Sequence, residues 1–191
     1  MEYFAFERSV LKSLSGHYST AEPMPDDMLA SIDRQKKLFS ALDTLQQVMY
    51  GLVDLELHLA TPRDDEPPGW SYHVAMAASA ARSPVPPPPG CFWYADLSHF
   101  ASYGANYYSY MWSRSLSALV WRAHFASEPL RPLAGLPFLR GFLSRGGSRR
   151  GHEMLLAVLH GEAYLEGPAG ARQMQEDMDD ACAALLDDLI A

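Results

Sequence analysis

The chain is poor in the residues that would staple, anchor or ligate it. Its two cysteines, Cys91 and Cys182, are too few for a disulfide framework and lack metal-ligand spacing, which suits a reducing compartment. No apolar run approaches the roughly 18 residues that a membrane span needs, so no membrane span is expected. β-branched residues are scarce and no alternating polar–apolar run holds up, which argues against strands. Bases are outnumbered 15 to 23, and the net charge of −8 argues against nonspecific nucleic-acid binding. The first residues, Met-Glu-Tyr-Phe-Ala-Phe-Glu, are acidic and aromatic, unlike a secretory signal or an arginine-rich transit peptide. There is no internal repeat.

What is present is helical. With 48% hydrophobic and 20% charged residues over 191 positions, the composition is that of an ordinary globular protein. A single all-α domain over 1–191 is expected. Residues 2–17 read as a helix with Phe6, Val10 and Leu14 on one side, closed by Pro23 and Pro25. The longest pattern runs from Asp26 or Asp27 to about Leu59, with Leu38, Leu42, Leu45, Met49 and Leu52 on one stripe. Residues 61–69 read as a loop and 72–82 as an alanine-rich helix. The run Pro84-Val-Pro-Pro-Pro-Pro-Gly90 reads as a stiff connector. Further helices are expected over 103–125, 135–143, 152–160 and 169–190, with a glycine loop at 144–148.

Charge is uneven. Arg131, Arg140, Arg145, Arg149 and Arg150 lie in a stretch without acids, and Glu176, Asp177, Asp179, Asp180, Asp187 and Asp188 lie near the end without bases after Arg172. Solvated helix faces are the expectation for both, with an arginine-lined cleft wall as the sharper alternative.

The densest chemistry lies in His99-Phe-Ala-Ser-Tyr103-Gly-Ala-Asn-Tyr107-Tyr108-Ser-Tyr110-Met-Trp112. On a continuous helix Tyr103, Tyr107 and Tyr110 would share one face. Such phenols are large apolar rings for a core, and also neutral donors able to steady an oxyanion. Composition alone leaves both uses open.

This segment, continuing through Ser113-Arg114 and Val120-Trp121, resembles the tyrosine-rich segment of the thimet-oligopeptidase-like zinc endopeptidases. Its spacing from the histidine to the first tyrosine is that of the mitochondrial intermediate peptidase branch. Other matches support it: Glu2–Tyr18 with the following Glu22-Pro-Met-Pro25, Leu52–His58 as the Asp-x-x-Leu-His end of a long helix, and Leu143–Gly147 as a Leu-x-x-Gly-Gly loop. The resemblance covers about 2–160 and implies the C-terminal part of a larger helical catalytic domain.

It further implies peptide or presequence substrates, a mitochondrial matrix setting (with the cytoplasm as alternative), and one zinc. The family's zinc is held by the two histidines of His-Glu-x-x-His and a later glutamate, the motif glutamate acting as general base. Here the only His-Glu pair is His152-Glu153, and Leu156 stands where the second histidine belongs. Zinc ligands are therefore expected outside this chain, in a preceding part of the catalytic domain. Carried over by position, Tyr110 donates to the oxyanion, Tyr103 places the substrate carbonyl, and His99 contacts substrate or intermediate. Tyr107 supports both tyrosines, and Gly104, with Ala101-Ser102, lends the loop freedom to close on a peptide. The other histidines read as surface or packing residues. Two rivals remain: a zinc-free peptide-binding or chain-complementing module, and a structural helical protein in which Tyr110→Phe alters stability alone.

Overall fold

The computed structural model describes residues 2–59, 69–83, 85–162 and 169–190. Among these the regular elements are helices, with no strand. Contacts divide the chain into two compact units, Met1–Leu38 with Ser115–Ala191, and Phe39–Arg114.

The first unit begins with α1 (Glu2–Phe6) and α2 (Arg8–Leu14), where a single helix over 2–17 is expected. The break falls at Glu7, whose extended backbone and side-chain carboxylate cap α2 by accepting from the Ser9 N–H. Val10 is buried as the spacing predicts, but Leu14 is exposed. Tyr3 stacks on Trp121, and Phe4 meets Trp121 and Phe125 edge-on. α3 (Asp26–Lys37) opens with two acids and closes with three bases, as the helix dipole favours. It is tied back by Arg8–Asp33 and Lys12–Asp26 pairs, both 2.7 Å, and by Lys36 over the Tyr3 and Phe6 rings.

The core of this unit is α9 (Gly151–His160), where Met154 to Val158 are all buried, so the helix is apolar all round. α8 (Leu136–Gly141) meets it closely: a Cβ on Gly141 would lie 3.0–3.3 Å from Val158 and Ala157. His124, at the end of α7 (Ser109–His124), donates from Nε2 to the Val158 carbonyl at 2.7 Å. α10 (Ala169–Ile190) buries Asp177 and Ala181, and Asp177 sits 2.9 Å from Nε2 of His160 at the end of α9.

That last contact corrects the expectation of a wholly solvated acidic face, since Asp177 is buried with a partner. The arginine stretch is likewise partly neutralised. Arg145 and Arg149 both pair with Glu162, whose carboxyl is held below its usual range by the Arg149 hydrogen bond first.

In the second unit the expected helix to Leu59 is interrupted: Phe39 takes a left-handed backbone, φ 62°, and α4 (Ser40–Leu59) starts afresh. α4 packs on α5 (Trp70–Arg82) through Met49, Val53, Ala75 and Ala78, the alanines admitting close helix approach. The buried side of α4 is thus Met49–Val53, while Leu42 and Leu45 of the expected stripe stay exposed. Spacing shows which residues share a face; it does not show what covers them. Expectations over residues 60–68 and at Pro84 lie outside the described residues.

Candidate functional site

The site grows from one buried carboxylate. Asp54 sits on the packed side of α4, next to Val53, and is 0% exposed. A buried carboxylate needs donors. Asp54 Oδ1 accepts the Ala105 N–H at 3.1 Å, and Oδ2 accepts the Tyr107 N–H at 2.8 Å. His58, one turn on, places Nδ1 2.8 Å from the Asp54 carbonyl and 3.0 Å from Oδ1. Both neighbours are acceptors, so Nδ1 carries the proton and donates.

These bonds explain a departure from the sequence expectation. Instead of one helix from Tyr103, the segment forms α6 (Ser98–Ser102), a loop over 103–108, and then α7. Ala105 adopts φ 60°, and the two amides that a continuous helix would use internally are given to Asp54. Gly104 lies against the His58 ring, where any Cβ would collide with Nε2 and Cδ2. Close approach, rather than left-handed backbone, is what requires glycine there.

The loop gathers the rings onto His99. Its ring centroid is 5.2 Å from Tyr103, 5.0 Å from Tyr107 and 5.4 Å from Tyr110. Tyr107 and Tyr110 meet edge-on at 5.2 Å, and Tyr107 also packs on Tyr50 and Phe100. The Tyr107 hydroxyl donates to Gln47 Oε1 at 3.0 Å. Burial, then the neighbouring Tyr50 and Tyr110, push its pKa above the ordinary phenol value, with the Gln47 bond opposing. Tyr107 is therefore a neutral donor at physiological pH.

Beside the rings lies a cleft of about 310 Å³ walled by His99, Tyr107 and Tyr110 together with Gln47, Asp96, Leu97 and Ser98. Tyr110 is 55% exposed and Tyr103 64%. Tyr103 stands against His99 at the outer edge of the cluster, and Gly104 faces His58. His99 Nε2 is buried without a hydrogen-bond partner among the described residues. The structure thus brings His99, Tyr107 and Tyr110 to one cleft, with Tyr103 beside them and Gly104 behind.

Sequence reasoning missed Asp54, Gln47 and Asp96. Asp54 had a signal: an acid inside Leu52-Val-Asp-Leu-Glu-Leu-His, on the side that Met49 and Val53 bury. Gln47 and Asp96 had none, because only the loop geometry brings them to the rings.

A metal fits nowhere in the described residues: no three His, Cys, Asp or Glu side chains converge. The one His-Glu pair serves a helix start, Glu153 accepting the Arg150 N–H, and Leu156 is packed in the core.

The described residues thus form a helical segment in which a histidine and phenols wall one cleft. The chain belongs to Peptidase family M3, whose profile matches residues 1–166. It is similar to the mitochondrial intermediate peptidase of Homo sapiens, 31% identical over 99% of this chain and 24% of that protein. Those of Malassezia globosa (32%, covering 91% and 21%) and Chaetomium globosum (35%, covering 87% and 22%) are similar as well. The chain therefore spans about a quarter of the length of these relatives.

Proposed function

We propose that this chain forms the oxyanion-facing wall of a zinc metalloendopeptidase. Tyr110 donates its hydroxyl to the oxyanion that develops as a peptide carbonyl is attacked. Tyr103 orients that carbonyl, and His99 contacts substrate once the rings over its Nε2 part. Tyr107, locked to Gln47 and kept protonated, holds the other rings in place. The loop at Gly104 borders the bound peptide. Zinc, supplying the activated water, belongs to residues outside this chain, in the preceding part of the catalytic domain. The substrates in this reading are peptides of presequence type and the compartment is the mitochondrial matrix; the relatives' names support a peptidase and a mitochondrial setting.

The observation that carries this reading is the convergence of three phenols on His99 beside an open cleft. Within this chain Tyr103 and Tyr110 are each more than half exposed, so neither serves as a core ring for the residues described.

The test is a chimera in which this chain replaces the matching quarter of the Homo sapiens relative. Turnover of a quenched-fluorescence presequence-type peptide is expected, with Tyr110→Phe lowering kcat about 10²- to 10³-fold. An unchanged kcat in Tyr110→Phe would remove the oxyanion role. Peptide affinity without turnover in the chimera would favour the zinc-free binding module.

A further inference from the structure

We propose that Asp54 and His58 are positioning residues, setting the distance between His99 and Tyr110 by fixing the loop that joins their helices. The proposal rests on the reading of the His99–tyrosine cluster as the substrate-facing site, and extends it to two residues that touch no substrate.

The argument begins with a distance. His99 and Tyr110 are eleven positions apart, which on one continuous helix would separate them by about 16 Å along the axis. Their ring centroids are 5.4 Å apart. The chain must therefore turn between them, and a turn needs acceptors for the amides withdrawn from the helical ladder. Asp54 supplies two of them, one oxygen for Ala105 and the other for Tyr107, while the Asn106 N–H between them turns back to the Tyr103 carbonyl.

The carboxylate is itself held. It is fully buried, and His58 Nδ1 donates to it from the next turn of α4. The opposite, Nε2 edge of the His58 ring faces Gly104, filling the space that a side chain there would need. Asp54 pulls the loop onto α4 and the His58 ring sets how near it comes. Ala105, left-handed without being glycine, is the strained residue that these contacts maintain.

An ordinary loop tether would matter for stability alone, so the experiment separates the two roles in the 191-residue chain. Amide exchange at Ala105 and Tyr107 is followed by NMR, with Leu155 and Leu156 of α9 as the control. Affinity is measured for a fluorescein-labelled basic 16-residue peptide. Asp54→Asn, which replaces one acceptor with a donor, should speed exchange at Ala105 and Tyr107 at least tenfold, leave α9 unchanged, and weaken peptide binding about tenfold.

If Asp54→Asn fails to fold, Gly104→Ala asks the same question with Asp54 intact. It should weaken binding, and Gly104→Ala with His58→Ala should recover most of the loss by vacating the room. Faster loop exchange with unchanged affinity overturns the proposal, as does a double variant no better than Gly104→Ala. Tyr110→Phe in the same assay isolates the underlying reading. If it weakens binding while Asp54→Asn does not, the positioning role fails and the site stands. If the wild-type chain does not bind and Tyr110→Phe leaves the chimera's kcat unchanged, both fall.

Discussion

Tyr107 shows how a single side chain can be read twice. Its ring packs against four aromatic neighbours, and its hydroxyl is spent on Gln47. Because its pKa is raised in the fold, the folded state keeps the phenol proton where the unfolded chain has lost it. Stability should then fall as pH rises from about 10 through the folded-state value, since the unfolded state binds fewer protons there. Urea midpoints measured between pH 9 and 11.5 should show this slope, and Tyr107→Phe should flatten it. Removing the hydroxyl should also cost about 1 kcal/mol at pH 7, the usual net worth of one hydrogen bond. Tyr110 keeps its ring against His99 and Tyr107 but is 55% exposed, so Tyr110→Phe, which retains the ring, should leave the urea midpoint unchanged and be felt only in turnover or peptide binding.

At the scale of elements, the helices were legible and their interruptions were not. Helices were expected at the positions of α4, α5, α7 and α9, from an apolar stripe for α4 and alanine richness for α5, and the structure has a helix at each. The breaks at Glu7, Phe39 and Tyr103 come from partners remote in sequence or from a local backbone flip, neither of which spacing encodes. The Tyr103 break matters most, because it is what brings His99, Tyr107 and Tyr110 together. The residues that the resemblance singles out, His99, Tyr103, Tyr107 and Tyr110, lie together in the structure, while the helical-face argument offered for the tyrosines does not describe how they meet. Helix contacts carry their own test. Gly141→Ala should destabilise the first unit by about 1–3 kcal/mol in urea denaturation, because its Cβ meets the Val158 backbone as well as a methyl. Leu156→Ala, in the middle of α9, should cost about 2–5 kcal/mol by opening a cavity.

For the whole molecule, the chain belongs to Peptidase family M3 and its described residues are helical; under the proposed function the chemistry is shared with residues outside this chain. The isolated chain should show no peptide turnover in a metal-checked assay, whereas the chimera should; turnover by the pure chain would place a complete site within it. The division into units has a consequence for synthesis. Phe39–Arg114 is one contiguous stretch set inside a discontinuous unit. On the ribosome it is complete while the surrounding unit still lacks Trp121, α9 and α10. The Asp54 carboxylate and the loop it holds can thus form cotranslationally, before the partners of α1 have been made. Of the two units, the one that carries the phenols would then be the first to acquire its final shape and to resist a protease added to stalled ribosomes.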